Sequence, residues 1–238
     1  MTFVLIHGIG NSLHAWDDVV AQMPEDVRII GIDLLGFGES PKPDWVAYNA
    51  KTQARSVGFT LLRLRIPRQP VLVGHSLGSL VAVEVAKRYS LLPQRLVLCS
   101  PPFYTSTQTG KRHLSADESL RSLYSFAKDH PDQLTHLSSL AVKLGIANKV
   151  TNITPENVAS YIATLESCII NQTTLDDVQK LTLPIDILYG AFDPVVVGKH
   201  ITALDKNNDN VTVKRAAVAH EIMGRYVTVV ADHLKALI

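Results

Sequence analysis

The strongest constraint on the fold is a rhythm in the first hundred residues. Short, continuous apolar runs rich in β-branched residues are each followed by a longer stretch with helical spacing. Phe3-Val4-Leu5-Ile6, Val27 to Ile32, Val71-Leu72-Val73 and Arg95 to Cys99 are the apolar runs. Ala15 to Met23, Ala47 to Leu64 and Leu80 to Tyr89 lie between them and read as helices. Strands that alternate with helices make βαβ units and a parallel sheet. Runs that are apolar throughout, not at alternate positions, belong to strands covered on both faces. The rhythm stops at Pro101-Pro102, and no convincing strand follows before Leu183. Helix starts are readable at Ser115-Ala116-Asp117-Glu118, a capping box, and at Thr154-Pro155-Glu156-Asn157, with proline in the first turn; Thr174 to Leu181 reads as another helix. The pattern resumes with a strand at Ile185 to Tyr189, a helix near Val195 to Leu204, a strand at Val211 to Lys214 and a closing helix from Gly224. The expected organisation is an α/β core of residues 1–100 and 184–238 with a helical insertion, 101–183.

Composition removes whole classes of function. The 23 basic and 22 acidic side chains leave a net charge of +1 with no basic stripe, so nucleic acid is not an expected partner. No run of 18 or more apolar residues is present and no secretory signal is read at the start, so neither a membrane span nor export is expected. Two cysteines, Cys99 and Cys168, are too few for a disulfide scaffold or a cysteine-based metal site; they read as buried thiols of a cytoplasmic protein.

Chemistry concentrates at Gly74-His75-Ser76-Leu77-Gly78, a G-x-S-x-G motif between a strand and a helix. A turn that sharp puts Ser76 in a strained conformation with an exposed hydroxyl, and the glycines let neighbouring backbone pass. A serine hydroxyl needs a base. His220, in Ala217-Val218-Ala219-His220-Glu221, follows the last strand, where parallel sheets build their sites. His113, His130, His136 and His200 read as solvated, and His75 is expected to turn away from its neighbour Ser76. The base needs a carboxylate behind it. Asp193 lies just past the fifth strand, whereas Asp186 lies inside it. The chain order Ser76, Asp193, His220 fits this motif. Two backbone amides should face the developing oxyanion: Leu77, after the serine, and Ile9, flanked by glycines in His7-Gly8-Ile9-Gly10. His7 reads as a packing and hydrogen-bonding residue.

Together with Asp33-Leu34-Leu35-Gly36-Phe37-Gly38-Glu39-Ser40, these motifs resemble the α/β-hydrolase superfamily over nearly the whole chain. The resemblance implies a parallel-rich sheet with helices on both faces, a helical cap between Cys99 and Ile185, and Ser-Asp-His hydrolysis without metal or organic cofactor. The chain starts close to the family's third strand. The usual first hairpin is not seen, which leaves about six strands. Serine at 76 differs from the aspartate of haloalkane dehalogenases and epoxide hydrolases. The asparagine common before the serine in carbon–carbon bond hydrolases is absent. The expected activity is hydrolysis of a small or medium carboxylic ester. Thioester, lactone or carbon–carbon cleavage by the same residues, or a ligand receptor with little turnover, stay open. Phe103, Cys168, Asn171 and Gln172 are candidates to line the pocket, or equally to be cap core or surface.

Overall fold

In the computed structural model, residues 1–66, 68–104, 116–145 and 147–238 are described, with side chains between 116 and 123 described at 122 alone. Six strands form one sheet: β1 (Thr2–Ile6), β2 (Arg28–Ile32), β3 (Val71–His75), β4 (Arg95–Cys99), β5 (Ile185–Gly190) and β6 (Val211–Ala216). The spatial order is β2-β1-β3-β4-β5-β6 and every pairing is parallel. The direction of winding reverses between β1 and β3, which opens a crevice beyond the carboxyl ends of the strands.

The continuous apolar runs are explained by two separate cores. Val4, Ile6, Leu72, Leu96 and Leu98 point to one face, where they meet α2 (Ala50–Arg63), α3 (Leu77–Arg88) and α8 (Gly198–Asn207). Phe3, Leu5, Val71, Val73, Val97 and Cys99 point to the other, against Trp16 and Val19 near α1 (Asp17–Val20) and the apolar stripe Tyr226, Val227, Val230, Ala231 and Leu234 of α9 (Arg225–Lys235). Successive side chains alternate between faces, so a strand in a doubly covered sheet has no polar positions to alternate with.

Between β4 and β5 the described chain is helical: α4 (Ala116–Asp129), α5 (Pro131–Lys143), α6 (Val158–Thr164) running into a π-helical segment (Leu165–Ile170), and α7 (Thr174–Val178). Several boundaries differ from the sequence reading. The helix expected at Ala15 begins as a 3-10 turn at Leu13. α3 starts at Leu77, three residues earlier than expected, because the elbow leads straight into it. Thr154 does not cap a helix beginning at Pro155. It accepts from the Asn157 and Val158 amides in a turn, and α6 starts after that turn. α5 was not anticipated, although Pro131 marks its first turn. Ser115 of the proposed capping box, and His113, lie outside the described residues.

Candidate active site

The turn after β3 has the strain its sequence implies. Ser76 has φ 50° and ψ −115°, a region side chains rarely occupy and which costs about 1–3 kcal/mol. The surroundings hold it there. The Ser76 amide donates to Cys99 O at 2.9 Å, and Ser79 Oγ donates to Gly74 O at 2.8 Å. A Cβ at Gly74 would lie 2.3 Å from Gly78 O, and one at Gly78 would lie 2.1 Å from Ile6 O. Both motif glycines are thus fixed by backbone packing between β3, α3 and β1.

His220 arrives from the segment after β6. Its Nε2 is 3.1 Å from Ser76 Oγ, and its Nδ1 is 2.9 and 3.0 Å from the two Asp193 carboxylate oxygens. Since the carboxylate only accepts, Nδ1 carries the proton and Nε2 is free to accept from the serine. Asp193 itself is anchored: its Oδ1 accepts from the Val195 and Val196 amides at 2.8 and 3.1 Å, and its side chain is 0% exposed. Burial works against its charge, but His220, the Ser100 hydroxyl and the Val195 amide outweigh burial and hold its carboxyl below the usual range. The three residues named from sequence are therefore brought into one hydrogen-bonded chain. Asp186 is not part of it; it pairs with Arg95 at 2.8 Å and with His233 at 3.1 Å.

The loop after β1 packs directly on the elbow: a Cβ at Gly8 would sit 3.0 Å from His75 Nδ1 and 3.4 Å from Ser76 Cβ. His7 orients this loop. The Leu34 amide donates to His7 Nε2 at 3.0 Å, so Nδ1 bears the proton and donates to Gly8 O at 2.7 Å. In a trans peptide the N–H points opposite to the C=O, so holding the Gly8 carbonyl turns the Ile9 N–H away from His7. Burial lowers the His7 pKa to about 4, which keeps this ring neutral. Leu77 opens α3, and its amide is one of those with no acceptor inside the helix.

Three expectations need correction. Ser76 is not exposed but 5% accessible, because residues after Pro102 lie over it. His75 does not turn out of the site: it lines the same cavity, its ring 5.1 Å from that of His220, and its Nε2 donates to the His220 carbonyl at 3.0 Å. Burial lowers its pKa. His200, read as solvated, is half-buried, its Nδ1 2.8 Å from Phe103 O.

A cavity of about 330 Å³ opens over Ser76. Its floor is Gly8, Ile9, Ser76 and His220. One wall is a stripe of α5, Leu134, Leu137, Ser138 and Ala141, and another holds Ile153, Tyr161, Leu165 and Ile169. The spacing 134, 137, 138, 141 is a helical face that the sequence carried openly. None of Phe103, Cys168, Asn171 and Gln172 is in this lining. Phe103 is core; Cys168 Sγ donates to Tyr48 O, with burial pushing the thiol up to about 12; Gln172 Nε2 donates to Pro102 O. Sequence reading missed Ser100, beside Asp193, and Glu221, beside His220. No residue type at those positions announces them.

Such an arrangement suits proton transfer from a hydroxyl to an imidazole beside an apolar chamber. Among the described residues, no group of three or more His, Cys, Asp or Glu is placed to hold a metal ion, and no helix is long and apolar enough to cross a membrane.

Comparison with known proteins agrees with the architecture. The chain is 33% identical over 109 residues to a probable lysophospholipase, BODYGUARD 4, of Arabidopsis thaliana, covering 45% of this chain and 26% of that protein. The matched stretch is thus about a quarter of the plant relative's length. It is 26% identical over 214 residues to the pimeloyl-[acyl-carrier protein] methyl ester esterase of Legionella pneumophila (strain Corby), covering 88% of this chain and 83% of the relative. Its fold superposes on the enol-lactonase from Burkholderia xenovorans LB400 with a TM-score of 0.80 at 16% identity, over 99% and 90% of the two chains. The sequence model of the alpha/beta hydrolase fold matches residues 2–220. With that match, and six parallel strands in the order described, the chain belongs to the alpha/beta hydrolase fold family.

Proposed function

We propose that the protein is a serine hydrolase of small or medium carboxylic esters. The observation that carries this reading is the hydrogen-bonded chain Ser76–His220–Asp193 at the floor of a mostly apolar cavity. Ser76 Oγ attacks the acyl carbon while its proton passes to His220 Nε2. Asp193 holds the Nδ1 proton in place and stabilises the imidazolium. The Ile9 and Leu77 amides receive the carbonyl oxygen as it gains charge, each donor contributing on the order of 10²–10³ in rate. His220 gives its proton to the departing alcohol, leaving an acyl group on Ser76. Water then attacks with His220 again as base, which restores the serine and frees the acid. No metal or organic cofactor enters these steps. Residues 101–183 act as a cap over the 1–100 and 184–238 core and select the acyl group. Esterase activity in the Legionella relative, which aligns over most of this chain, supports the ester as the bond cleaved. The two cysteines as unpaired buried thiols favour a reducing compartment, the cytoplasm.

The test is p-nitrophenyl butyrate hydrolysis together with labelling by a serine-directed organophosphate. Wild type should turn over the ester and be labelled at Ser76. Ser76→Ala should do neither while melting at an unchanged temperature. Full activity in Ser76→Ala, or labelling at another residue, refutes the reading.

A further inference from the structure

Glu221 follows the base His220 and lines the cavity over Ser76. Its Oε2 is sealed from solvent and has no hydrogen-bond partner among the described residues. Ser138 of α5 lines the same cavity, and its Oγ is also buried without a partner. Among the described residues, the lining of the cavity holds no lysine or arginine. His75 is held neutral by burial, although the Glu221 charge pulls against that. Burial pushes the Tyr161 hydroxyl up to about 12, and Glu221 adds to it. A carboxylate oxygen buried unpaired is costly, and folded proteins pair nearly all such atoms. In a substrate cavity, the missing partner belongs on the substrate. An ionised carboxylate accepts and does not donate, so that partner must be a donor, an ammonium or a hydroxyl.

We propose that Glu221, with Ser138, forms a polar subsite that takes a hydrogen-bond donor on a short acyl chain, an amino or hydroxyl group, and rejects an acyl chain bearing a carboxylate. The position of Glu221, next to the base, places the donor within a few carbons of the ester carbonyl. This inference rests on the ester-hydrolase reading above. It narrows the acid moiety to short amino- or hydroxyacyl groups, with the alcohol left free.

The experiment compares ethyl butyrate, ethyl 3-hydroxybutyrate, ethyl 3-aminobutyrate and monoethyl succinate by pH-stat, in wild type and Glu221→Gln. Ratios of kcat/KM are read, so the active fraction cancels. Wild type should favour the 3-amino or the 3-hydroxy ester over monoethyl succinate by on the order of 100-fold, as expected for a like charge close by in a weakly screened cavity. Which of the two leads tells an ammonium from a hydroxyl. Glu221→Gln should shrink that ratio at least tenfold, mainly through KM. A ratio unchanged within twofold, or a wild-type preference for the succinate ester, overturns the proposal. If wild type hydrolyses none of the four, the ester reading fails and the subsite is judged by binding. Calorimetric titration of Ser76→Ala should then show propylammonium binding more tightly than butyrate, with the difference gone in Ser76→Ala/Glu221→Gln. Equal affinity in Ser76→Ala overturns the subsite by itself.

Discussion

Two histidines compete for the role of base, and the geometry separates them in magnitude. His220 Nε2 sits 3.1 Å from Ser76 Oγ with a carboxylate on its other nitrogen. Truncating it to alanine removes the acceptor of the serine proton. The equivalent loss in another serine hydrolase is on the order of 10⁶ in kcat, or about 8 kcal/mol at 1.36 kcal/mol per tenfold. His75 has its Nε2 committed to the His220 carbonyl at 3.0 Å and is 3% exposed. His75→Ala leaves that carbonyl without its donor, a loss of about 1–3 kcal/mol. Water from the adjoining cavity can replace the donor and keep the loss near the lower end. If about 1.4 kcal/mol of it reaches the transition state through a displaced His220, the rate falls about tenfold. In a chain of this size the same stability loss lowers Tm by roughly 2–12 °C. The expected ranking in kcat/KM on p-nitrophenyl butyrate is therefore wild type, then His75→Ala, then Asp193→Asn at on the order of 10⁴ below wild type, with His220→Ala lowest. In Tm, His75→Ala should be affected more than His220→Ala, whose side chain is 16% exposed. If His75→Ala proves the more damaging to rate while both variants melt cooperatively, the assignment of the base is wrong.

Three further outcomes are expected. His7 is buried and neutral with a pKa of about 4, against about 6.5 unfolded. Between those values the unfolded chain binds a proton that the native protein does not, so stability falls as pH drops through the window, by up to about 3 kcal/mol. Urea midpoints at pH 7, 5.5 and 4.5 should fall less steeply for His7→Gln; parallel curves would remove His7 as the cause. Gly78→Ala drives a Cβ to 2.1 Å from Ile6 O and should lose 3 kcal/mol or more, roughly the upper end for overpacking. Gly224→Ala, at φ 52° with nothing within 4 Å, should lose only about 1–2 kcal/mol, and the opposite order in Tm contradicts the packing argument. Leu134→Trp fills the α5 wall of the cavity and should lower the octanoate-to-acetate activity ratio at least tenfold; an unchanged ratio separates α5 from acyl selection.

The central strands β1, β3, β4 and β5 were legible because each is covered on both faces. Val71-Leu72-Val73 has no polar positions to blur it, and at Gly74, just before the strand ends at His75, any side chain would clash with the backbone of Gly78. Ser76, Asp193 and His220 were legible for the same reason: each follows a strand whose end is sharply marked. What escaped was whatever depended on the helices between β4 and β5. Ser76 read as exposed because an elbow alone exposes its hydroxyl; burial comes from residues such as Leu134 and Leu165, which are distant in sequence. His75 read as turned away because local geometry is blind to the His220 carbonyl, 145 residues on. The lining failed at Cys168 and Gln172 because a helix face is chosen by its neighbours, and theirs are Tyr48 and Pro102.

The strand order has a bearing on how the protein is made. β1 to β4 come from the first hundred residues and, in chain order, each joins a sheet edge already present. β5 can join only after the long excursion that follows Cys99, and β6 only after β5. On a ribosome, where the amino-terminal part folds first, the elbow and its loop from β1 can assemble while the last strands are still unsynthesised. The Ser76–His220 bond spans 144 residues and is among the last contacts to close. A nascent chain therefore carries the serine in place but without its base. Under the proposed function, the onset of ester hydrolysis would report that the final strand has docked.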